Sequence, residues 1–318
     1  MLDLRNDLTI LLYGPTGAGK STLAGQLIKS YFMQTRKRAA VFLADEGSRS
    51  PYELLEEYRN TTDLKDMGVV TTYRPTGNPW IWVSRALQGR VPKPGKKGVE
   101  WVSCMDDTPN IGLIIHEGLT SYAELLMQEM ARMSADNVNV GGDGIATLGK
   151  DKEQDKGNVL KAWKIDVTGD GEVMRVGGNS MVHYGIAQIQ TRDGLLKGRP
   201  DVPHLYTAML RRGNEEGTKA AVSGPQLVGG ALTGSLPRWM DLTFRVDAEE
   251  SGHVLYIMPR PDAQLGGRIM MLANPRLPLE GSKVVVPPMI KPASLVKALE
   301  HLALRRVAAR EELKGELG

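Results

Sequence analysis

Cysteine is almost absent from this chain of 318 residues: Cys104 is the only one, so no internal disulfide can form and a reducing compartment is expected. Phenylalanine is scarce (3 residues) whereas glycine is abundant (36 residues), which indicates many loops around a modest core. No run approaches the roughly 18 apolar residues that a membrane-spanning helix needs. A strong charge of one sign is also missing. The net charge is only +3, so any affinity for nucleic acid must come from local patches.

The beginning of the chain and its length predict a cytoplasmic protein built on one core. An apolar run begins at residue 8, after Asp3 and Asp7, so we expect no secretory signal and no membrane partner. The length suits one large α/β domain with elaborations. No internal repeat or long low-complexity linker interrupts it. The predicted division is a core over residues 1–290, with insertions at 74–107 and 140–180, and a helical tail over residues 291–318.

The most specific motif is a glycine-rich loop between an apolar run and a helical pattern. It has the spacing G-x-x-x-x-G-K-[ST] of a phosphate-binding loop, with a buried strand predicted before it and a helix after it. Glycines allow a tight turn whose N–H groups point inward, lysine adds a charge for the β- and γ-phosphates, and the serine hydroxyl can bind Mg²⁺. A nucleoside triphosphate is therefore predicted to bind at Gly14, Pro15, Thr16, Gly17, Ala18, Gly19, Lys20, Ser21 and Thr22.

Two further apolar runs end in acids. The first precedes Asp45 and Glu46, and the second ends in His116 and Glu117. Carboxylates at the carboxyl ends of parallel strands lie where open α/β sheets bind ligands. Either Asp45 or Glu46 is a candidate to activate water, the alternative being that both only begin a polar loop. Glu117 has the position of a Walker B acid that holds Mg²⁺ waters opposite Ser21, and His116 is predicted to be a packed side chain.

Apolar periodicity elsewhere completes an α/β pattern. Helices are predicted at residues 20–34, 51–55, 121–133, 184–194 and 294–314. Strands beyond the three described above are predicted at residues 69–73, 163–167, 172–176, 204–210, 242–246, 255–258 and 268–272. The predicted fold is a mainly parallel, doubly wound sheet with antiparallel additions and a C-terminal helix.

A segment rich in tryptophan and basic residues spans residues 74–107, where no regular element is predicted. Five cations and no anion fall between Arg85 and Lys97. Cations along a backbone, with aromatic rings for base stacking, are typical of sites that bind single strands. The alternative is a solvated hairpin whose tryptophans pack on the core. The candidate nucleic-acid contacts, here and in the loop after residue 210, are Arg90, Lys93, Lys96, Lys97, Trp101, Arg211, Arg212 and Lys219.

The order of these pieces resembles the RecA-like P-loop ATPase core. Residues 42–47, followed by Pro51 and Tyr52, are similar to the segment that carries that family's catalytic glutamate, which implies Glu46 as the general base. Residues 183–188, 224–233 and 237–241 resemble phage ATP-binding proteins of RecA-like fold, some of them associated with single-strand annealing and recombination. The chain departs from RecA at Met209, where RecA carries a glutamine that senses the γ-phosphate, and at Glu117, where aspartate is usual.

The resemblance implies an ATPase with ATP and Mg²⁺ as cofactors and with Lys20, Glu46 and Glu117 as catalytic residues. It also implies a homo-oligomer, a ring or filament, in which a neighbour supplies an arginine finger; the candidates are Arg211, Arg212 and Arg238. The expected role is action on single-stranded DNA in phage recombination, annealing or replication. The alternatives are a packaging-type motor or assembly ATPase, and a nucleotide-dependent scaffold that hardly hydrolyses ATP.

Overall fold

The computed structural model describes residues 4, 8–44, 50–57, 68–95, 98–126, 163–166, 173–176, 200–211, 224–226, 236–237, 240–250, 252–257, 261–262, 268–269 and 287–304. The chain divides into two compact units. The first unit comprises Met1–Tyr73, Thr108–Leu119 and Asp201–Gly318, and the second comprises Arg74–Asp107 and Thr120–Pro200. Within the described ranges, no helix is both long enough and apolar enough to cross a membrane.

The first unit holds most of the strands. They are β1 (Thr9–Gly14), β2 (Arg38–Leu43), β3 (Val70–Tyr73), β6 (Ile111–Glu117), β9 (His204–Arg211), β10 (Gly224–Pro225), β11 (Leu242–Glu249), β12 (Gly252–Tyr256), β13 (Pro261–Asp262), β14 (Arg268–Ile269) and β15 (Met289–Ile290). Its helices are α1 (Lys20–Thr35), α2 (Ser50–Glu57) and a helix over residues 295–304. The second unit contains α3 (Pro79–Leu87), β4 (Arg90–Gly95), β5 (Gly98–Ser103), α4 (Cys104–Asp107), β7 (Trp163–Asp166) and β8 (Val173–Val176). Residues 119–126 are also helical.

A nine-stranded sheet organises the first unit, with β15-β12-β11-β1-β9-β6-β2-β3 as its order and β10 paired to β9. All strands from β11 to β3 run parallel, whereas β12, β15 and β10 are antiparallel additions. The predicted fold class, a mainly parallel α/β sheet with antiparallel additions and a C-terminal helix, is confirmed. One strand, β9, separates β1 from β6. The glycine-rich loop and Glu117 therefore lie at the same sheet edge, two strands apart.

Strands β1, β2 and β6, which each lie between two neighbouring strands of the sheet, are buried on both faces. Every residue of β1, β2 and β6 is buried, as expected for parallel strands that read as continuous apolar runs. One cluster joins alternate residues of these strands to Leu23 and Leu27 of α1 and to Leu295 and Leu299 of the 295–304 helix. The described part of the C-terminal tail thus docks on the core of its own unit.

His116 is a packed side chain, as predicted. Its ring stacks on Tyr206 at a centroid distance of 4.6 Å and on Phe42 at 5.4 Å. Its Nε2 lies 3.3 Å from Nδ1 of His204, and both histidines are fully buried. Because strand side chains alternate, this aromatic stack lies on the sheet face opposite to Glu117.

Two details differ from the sequence-based expectations. Residues 79–87 form helix α3 within the segment where no regular element was predicted, and Trp82 of this helix is buried against Tyr122 with ring centroids 5.4 Å apart. The segment near Arg268 does not extend the main sheet, since β14 pairs with β13 in a separate two-stranded sheet. The β7–β8 hairpin agrees with the prediction. The helix predicted at residues 184–194 lies outside the described residues.

Candidate nucleotide and magnesium site

The glycine-rich loop connects β1 to α1 in a conformation that two glycines make possible. Gly17 and Gly19 have φ angles of 76° and 87°, in the left-handed region that side chains disfavour. The turn is closed by the Ala18 N–H, which donates to the Pro15 carbonyl oxygen at 3.3 Å, and α1 begins at Lys20. The loop therefore precedes a helix N-terminus directly, which is the arrangement that binds phosphate through backbone N–H groups and the helix dipole.

Lys20 folds back over this loop. Its Nζ donates to the carbonyl oxygens of Gly14 at 3.0 Å and Pro15 at 2.8 Å, and it lies 3.8 Å from the sulfur of Met209. The side chain is only 9% exposed. These contacts hold the ammonium group against the loop, where its N–H donors can also reach an anion that enters the loop.

Glu117 accepts hydrogen bonds at both carboxylate oxygens. Ser21 Oγ donates to Oε1 at 2.9 Å, and the hydroxyl of Tyr52 donates to Oε2. The Thr207 side chain adds another hydrogen bond, and its Oγ1 in turn accepts the Gly118 N–H at 2.8 Å. The carboxylate is 2% exposed and is enclosed by three hydroxyl groups.

The electrostatics of this cluster are governed by burial. Desolvation raises the pKa of Glu117, while hydrogen bonds from Tyr52, Ser21 and Thr207 and the charge of Lys20 act in the opposite direction. Burial also raises the pKa of Tyr52 well above its usual value, helped by the adjacent Glu117 carboxylate. Tyr52 is therefore a neutral hydrogen-bond donor at physiological pH.

The donor set fits Mg²⁺. Ser21 Oγ and Glu117 Oε1, 2.9 Å apart, are hard oxygen donors beside the loop predicted to bind phosphate. The part of the chain that the structure describes has no group of three or more His, Cys, Asp or Glu able to hold a metal ion. Ser21 and Glu117 match the way Mg²⁺ is usually held, by one or two protein oxygens together with substrate phosphates and water.

Two side chains from outside the motif, Met209 and His253, also lie beside the loop. Met209 pairs with Gly14 across β9 and β1, and its sulfur lies 3.5 Å from Thr16 Oγ1, so a thioether faces the loop. His253 of β12 lies beside Gly19: ring atoms are 3.7–3.8 Å from the position that a Cβ at Gly19 would occupy. Neither His253 nor Tyr52 was predicted as a site residue, because neither belongs to the loop motif.

The candidate nucleic-acid residues are only partly brought together. Arg90 is exposed and Trp101 is half-buried, and the β4–β5 register places both on one face of the hairpin. Lys93 points to the other face, opposite Glu100, with its Nζ 3.8 Å from an Asp107 carboxylate oxygen. Arg85, counted among the five cations, is buried and cannot serve as a surface contact.

Several predicted residues are not described. Asp45, Glu46, Lys96, Lys97, Arg212, Lys219 and Arg238 lie outside the described residues, and of Arg211 only the backbone is described, at the end of β9. The roles assigned to them stay predictions. The same holds for the division into a core with two insertions and a tail.

Comparisons with known proteins add structural likeness at low sequence identity. No protein-family model matches the sequence, and no curated protein matches it significantly. Among solved structures, the chain is similar to a KaiC-like protein from the hyperthermophilic archaeon Pyrococcus horikoshii. The two are 12% identical, the alignment covers 79% of this chain and 77% of that chain, and the TM-score is 0.37. Similarity at this level gives no information on what the chain binds.

Proposed function

We propose that this protein is a RecA-like ATPase that binds ATP with Mg²⁺ at the loop between β1 and α1. The observation that carries the proposal is the pairing of Ser21 with Glu117 beside a phosphate-loop lysine. Ser21 and Glu117 are 96 residues apart in the sequence, yet they meet at one sheet edge. Such convergence is expected of a triphosphate and metal site, and is not needed for a turn that only links a strand to a helix.

Each described residue has a chemical role in this proposal. Lys20 exchanges its carbonyl partners for the β- and γ-phosphates and neutralises the charge that develops on them. Ser21 would hold Mg²⁺, and Glu117 would hold the waters of that ion. Bound Mg²⁺ supplies neutralisation of phosphate charge. Glu46 is proposed as the base that activates water, on the resemblance alone; comparing turnover of Glu46→Gln and Asp45→Asn tests which acid has that role.

Nucleotide binding and turnover test the proposal together. Binding of a fluorescent ADP analogue and release of phosphate from ATP are measured with and without Mg²⁺, in the wild type, Lys20→Ala and Glu117→Gln. Lys29→Ala is the matched control, because Lys29 is an exposed lysine further along the same helix. We expect Mg²⁺-dependent binding and turnover that Lys20→Ala reduces by about 100-fold or more and Lys29→Ala leaves unchanged. Equal binding by Lys20→Ala and the wild type would contradict the proposal.

Single-stranded DNA is the partner that we propose for the ATPase, in phage recombination, annealing or replication. The supporting observation is the face of the β4–β5 hairpin that combines the Arg90 cation with the Trp101 ring. A base can stack on the ring while the guanidinium contacts a phosphate. The resemblance to annealing and recombination proteins favours the same polymer, and an oligomer with an arginine finger from Arg211, Arg212 or Arg238 belongs to the same proposal.

Hairpin variants separate this role from the alternatives. Binding of a fluorescent oligothymidine and DNA-stimulated turnover are measured at two salt concentrations, because phosphate contacts weaken steeply with salt. Arg90→Ala and Trp101→Ala should each weaken binding, by about 10-fold for Trp101→Ala. Lys93→Ala, whose side chain lies on the other face, should have a smaller effect. Turnover that is indifferent to DNA would instead favour an assembly ATPase, and binding without turnover would favour a scaffold.

A further inference from the structure

We propose that Tyr52 is a positioning residue that sets the Mg²⁺ affinity of the nucleotide site by fixing the carboxylate of Glu117. This inference rests on the proposed function. Tyr52 is the third residue of helix α2 and is not part of the phosphate loop. Its side chain is fully buried, and its hydroxyl donates to Glu117 Oε2.

The two carboxylate oxygens have different partners, and this asymmetry is the main argument. Oε2 is bonded to Tyr52, which is neutral and held within the core. Oε1 is bonded to Ser21, the residue that is proposed to bind Mg²⁺. A carboxylate that is fixed at one oxygen holds its other oxygen toward the metal position. Its rotation is then already restricted before the ion binds, so binding costs less conformational entropy. Partners behind a metal-associated ligand act in this way elsewhere, and removing them weakens metal affinity by about 10- to 100-fold.

The alternative explanation is that Tyr52 only fills space in the core. Its ring does belong to the cluster around Leu55 and Val41. Packing alone, however, requires no hydroxyl, and burying one has a free-energy cost unless it finds a partner. A test must therefore remove the hydroxyl and keep the ring.

Tyr52→Phe is that test, with Tyr256→Phe as the matched control. Tyr256 is another buried tyrosine that donates to a carboxylate, that of Glu249 at 2.5 Å, on strands β11 and β12 and not beside Ser21. A fluorescent ADP analogue is titrated first without metal and then with increasing Mg²⁺. In Tyr52→Phe we expect the Mg²⁺ concentration for half-maximal response to rise by about 10-fold, with metal-free nucleotide binding within about twofold of the wild type. Tyr256→Phe should match the wild type in both.

A double variant shows whether Tyr52 acts through Glu117. If it does, Tyr52→Phe in a Glu117→Gln background should leave the Mg²⁺ response of Glu117→Gln unchanged, because the carboxylate to be positioned is already gone. If Tyr52→Phe alone fails to fold, the double variant, which has no buried carboxylate left without its partner, should fold. Failure of both to fold would overturn the proposal, since Tyr52 would then be required by the fold itself.

The outcomes keep the two proposals apart. A wild-type protein that shows no Mg²⁺-dependent nucleotide binding would contradict the proposed function. A wild type that binds as expected, with a Tyr52→Phe titration that superimposes on it, would overturn only the role of Tyr52. A shift of equal size in Tyr52→Phe and Tyr256→Phe would also overturn it, because any buried tyrosine hydroxyl would then have the same effect.

Discussion

Gly14, the first glycine of the phosphate-loop motif, is required by the sheet as well as by the loop. It ends β1 beside β11, and a Cβ at this position would overlap the carbonyl oxygen of Val246 and lie 3.0 Å from Val246 Cγ1. Moving the backbone atoms of a central strand has a high free-energy cost, because the interior is closely packed. The motif is usually explained by the approach of phosphate, but here the packing of Gly14 against Val246 of β11 already requires glycine.

We therefore expect Gly14→Ala to lower the free energy of unfolding by about 3 kcal/mol, the upper end of the range for overpacked sites. Gly25→Ala is the control. Gly25 lies inside α1, where a Cβ would meet Pro51 Cβ at 3.4 Å, an ordinary contact, and alanine is the better helix former. Urea unfolding followed by circular dichroism measures both. Equal midpoints for the two variants would show that the strand can shift away from position 14.

Cys104 is buried in the second unit and should be nearly inert in the native chain. Burial raises the pKa of its thiol to about 12, with Asp107 adding to the effect. Since the thiolate is the reactive form, native Cys104 should react with Ellman's reagent at least about 1,000-fold more slowly than in guanidinium chloride. Prompt reaction of one equivalent of thiol in the native protein would contradict this expectation.

The same pKa shift predicts a pH effect with a definite sign. Between the thiol's ordinary pKa and about 12, the unfolded chain has released the proton and the folded chain has kept it. Stability falls with rising pH wherever the folded state binds more protons. The contribution of Cys104 is therefore constant below pH 9 and decreases above it. Urea unfolding of Cys104→Ala against the wild type at pH 8 and pH 10 measures it, and the wild type should lose more stability between these two values.

At the scale of elements, the 295–304 helix is part of the core and not an appendage. Leu295 is fully buried in the same cluster as β1 and α1, whereas Leu304 at the end of the described helix is 60% exposed. Leu295→Ala should destabilise the first unit by about 3 kcal/mol, as expected when a buried leucine leaves a cavity. Leu304→Ala should change stability by less than about 0.5 kcal/mol. Similar effects of the two substitutions in thermal unfolding would show that the helix is not docked as described.

The elements that sequence patterns predicted are those with a strong period or a continuous apolar run. Strands β1, β2 and β6 are each built on a continuous apolar run, and this predicted their burial and their parallel neighbours. Helix α3 was missed because proline, glycine and tryptophan in residues 74–107 were interpreted as loop signals, although Pro79 is at the first helical position, where proline is favourable. Two-residue strands such as β14 carry too little pattern to reveal their partner.

The sequence predicted the site residues that belong to a local motif or to the end of an apolar run. It could not predict the residues that reach the site through contacts between distant segments. The loop motif named Lys20 and Ser21, and the acid at the end of an apolar strand named Glu117. Tyr52 lies 65 residues before Glu117 in the sequence. No spacing rule could show that its hydroxyl would donate a hydrogen bond to Oε2 of Glu117. The β4–β5 pairing likewise decides that Arg90 and Lys93 face opposite sides, which a count of cations in sequence cannot reveal.

At the scale of the whole molecule, all described residues of the nucleotide site belong to the first compact unit, which is built from three separate stretches of sequence. Nucleotide binding should therefore stabilise that unit as a whole and not only the loop. A ligand present at 100 times its dissociation constant adds about 2.7 kcal/mol to the stability of the state that binds it. Amides that exchange hydrogen only when the unit opens should then exchange about 100-fold more slowly.

Hydrogen exchange with and without Mg²⁺ and a saturating ADP analogue measures this directly. Slowing should appear in peptides that cover β1, α1 and β6, which carry Gly14, Ser21 and Glu117. It should also reach the 295–304 helix, because Leu295 shares a core with α1. Lys20→Ala under the same conditions should show no slowing, which excludes an effect of the nucleotide on solvent or pH. Protection limited to the loop, with the 295–304 helix unchanged while the analogue is bound, would show that ligand binding and the stability of the unit are not linked in this way.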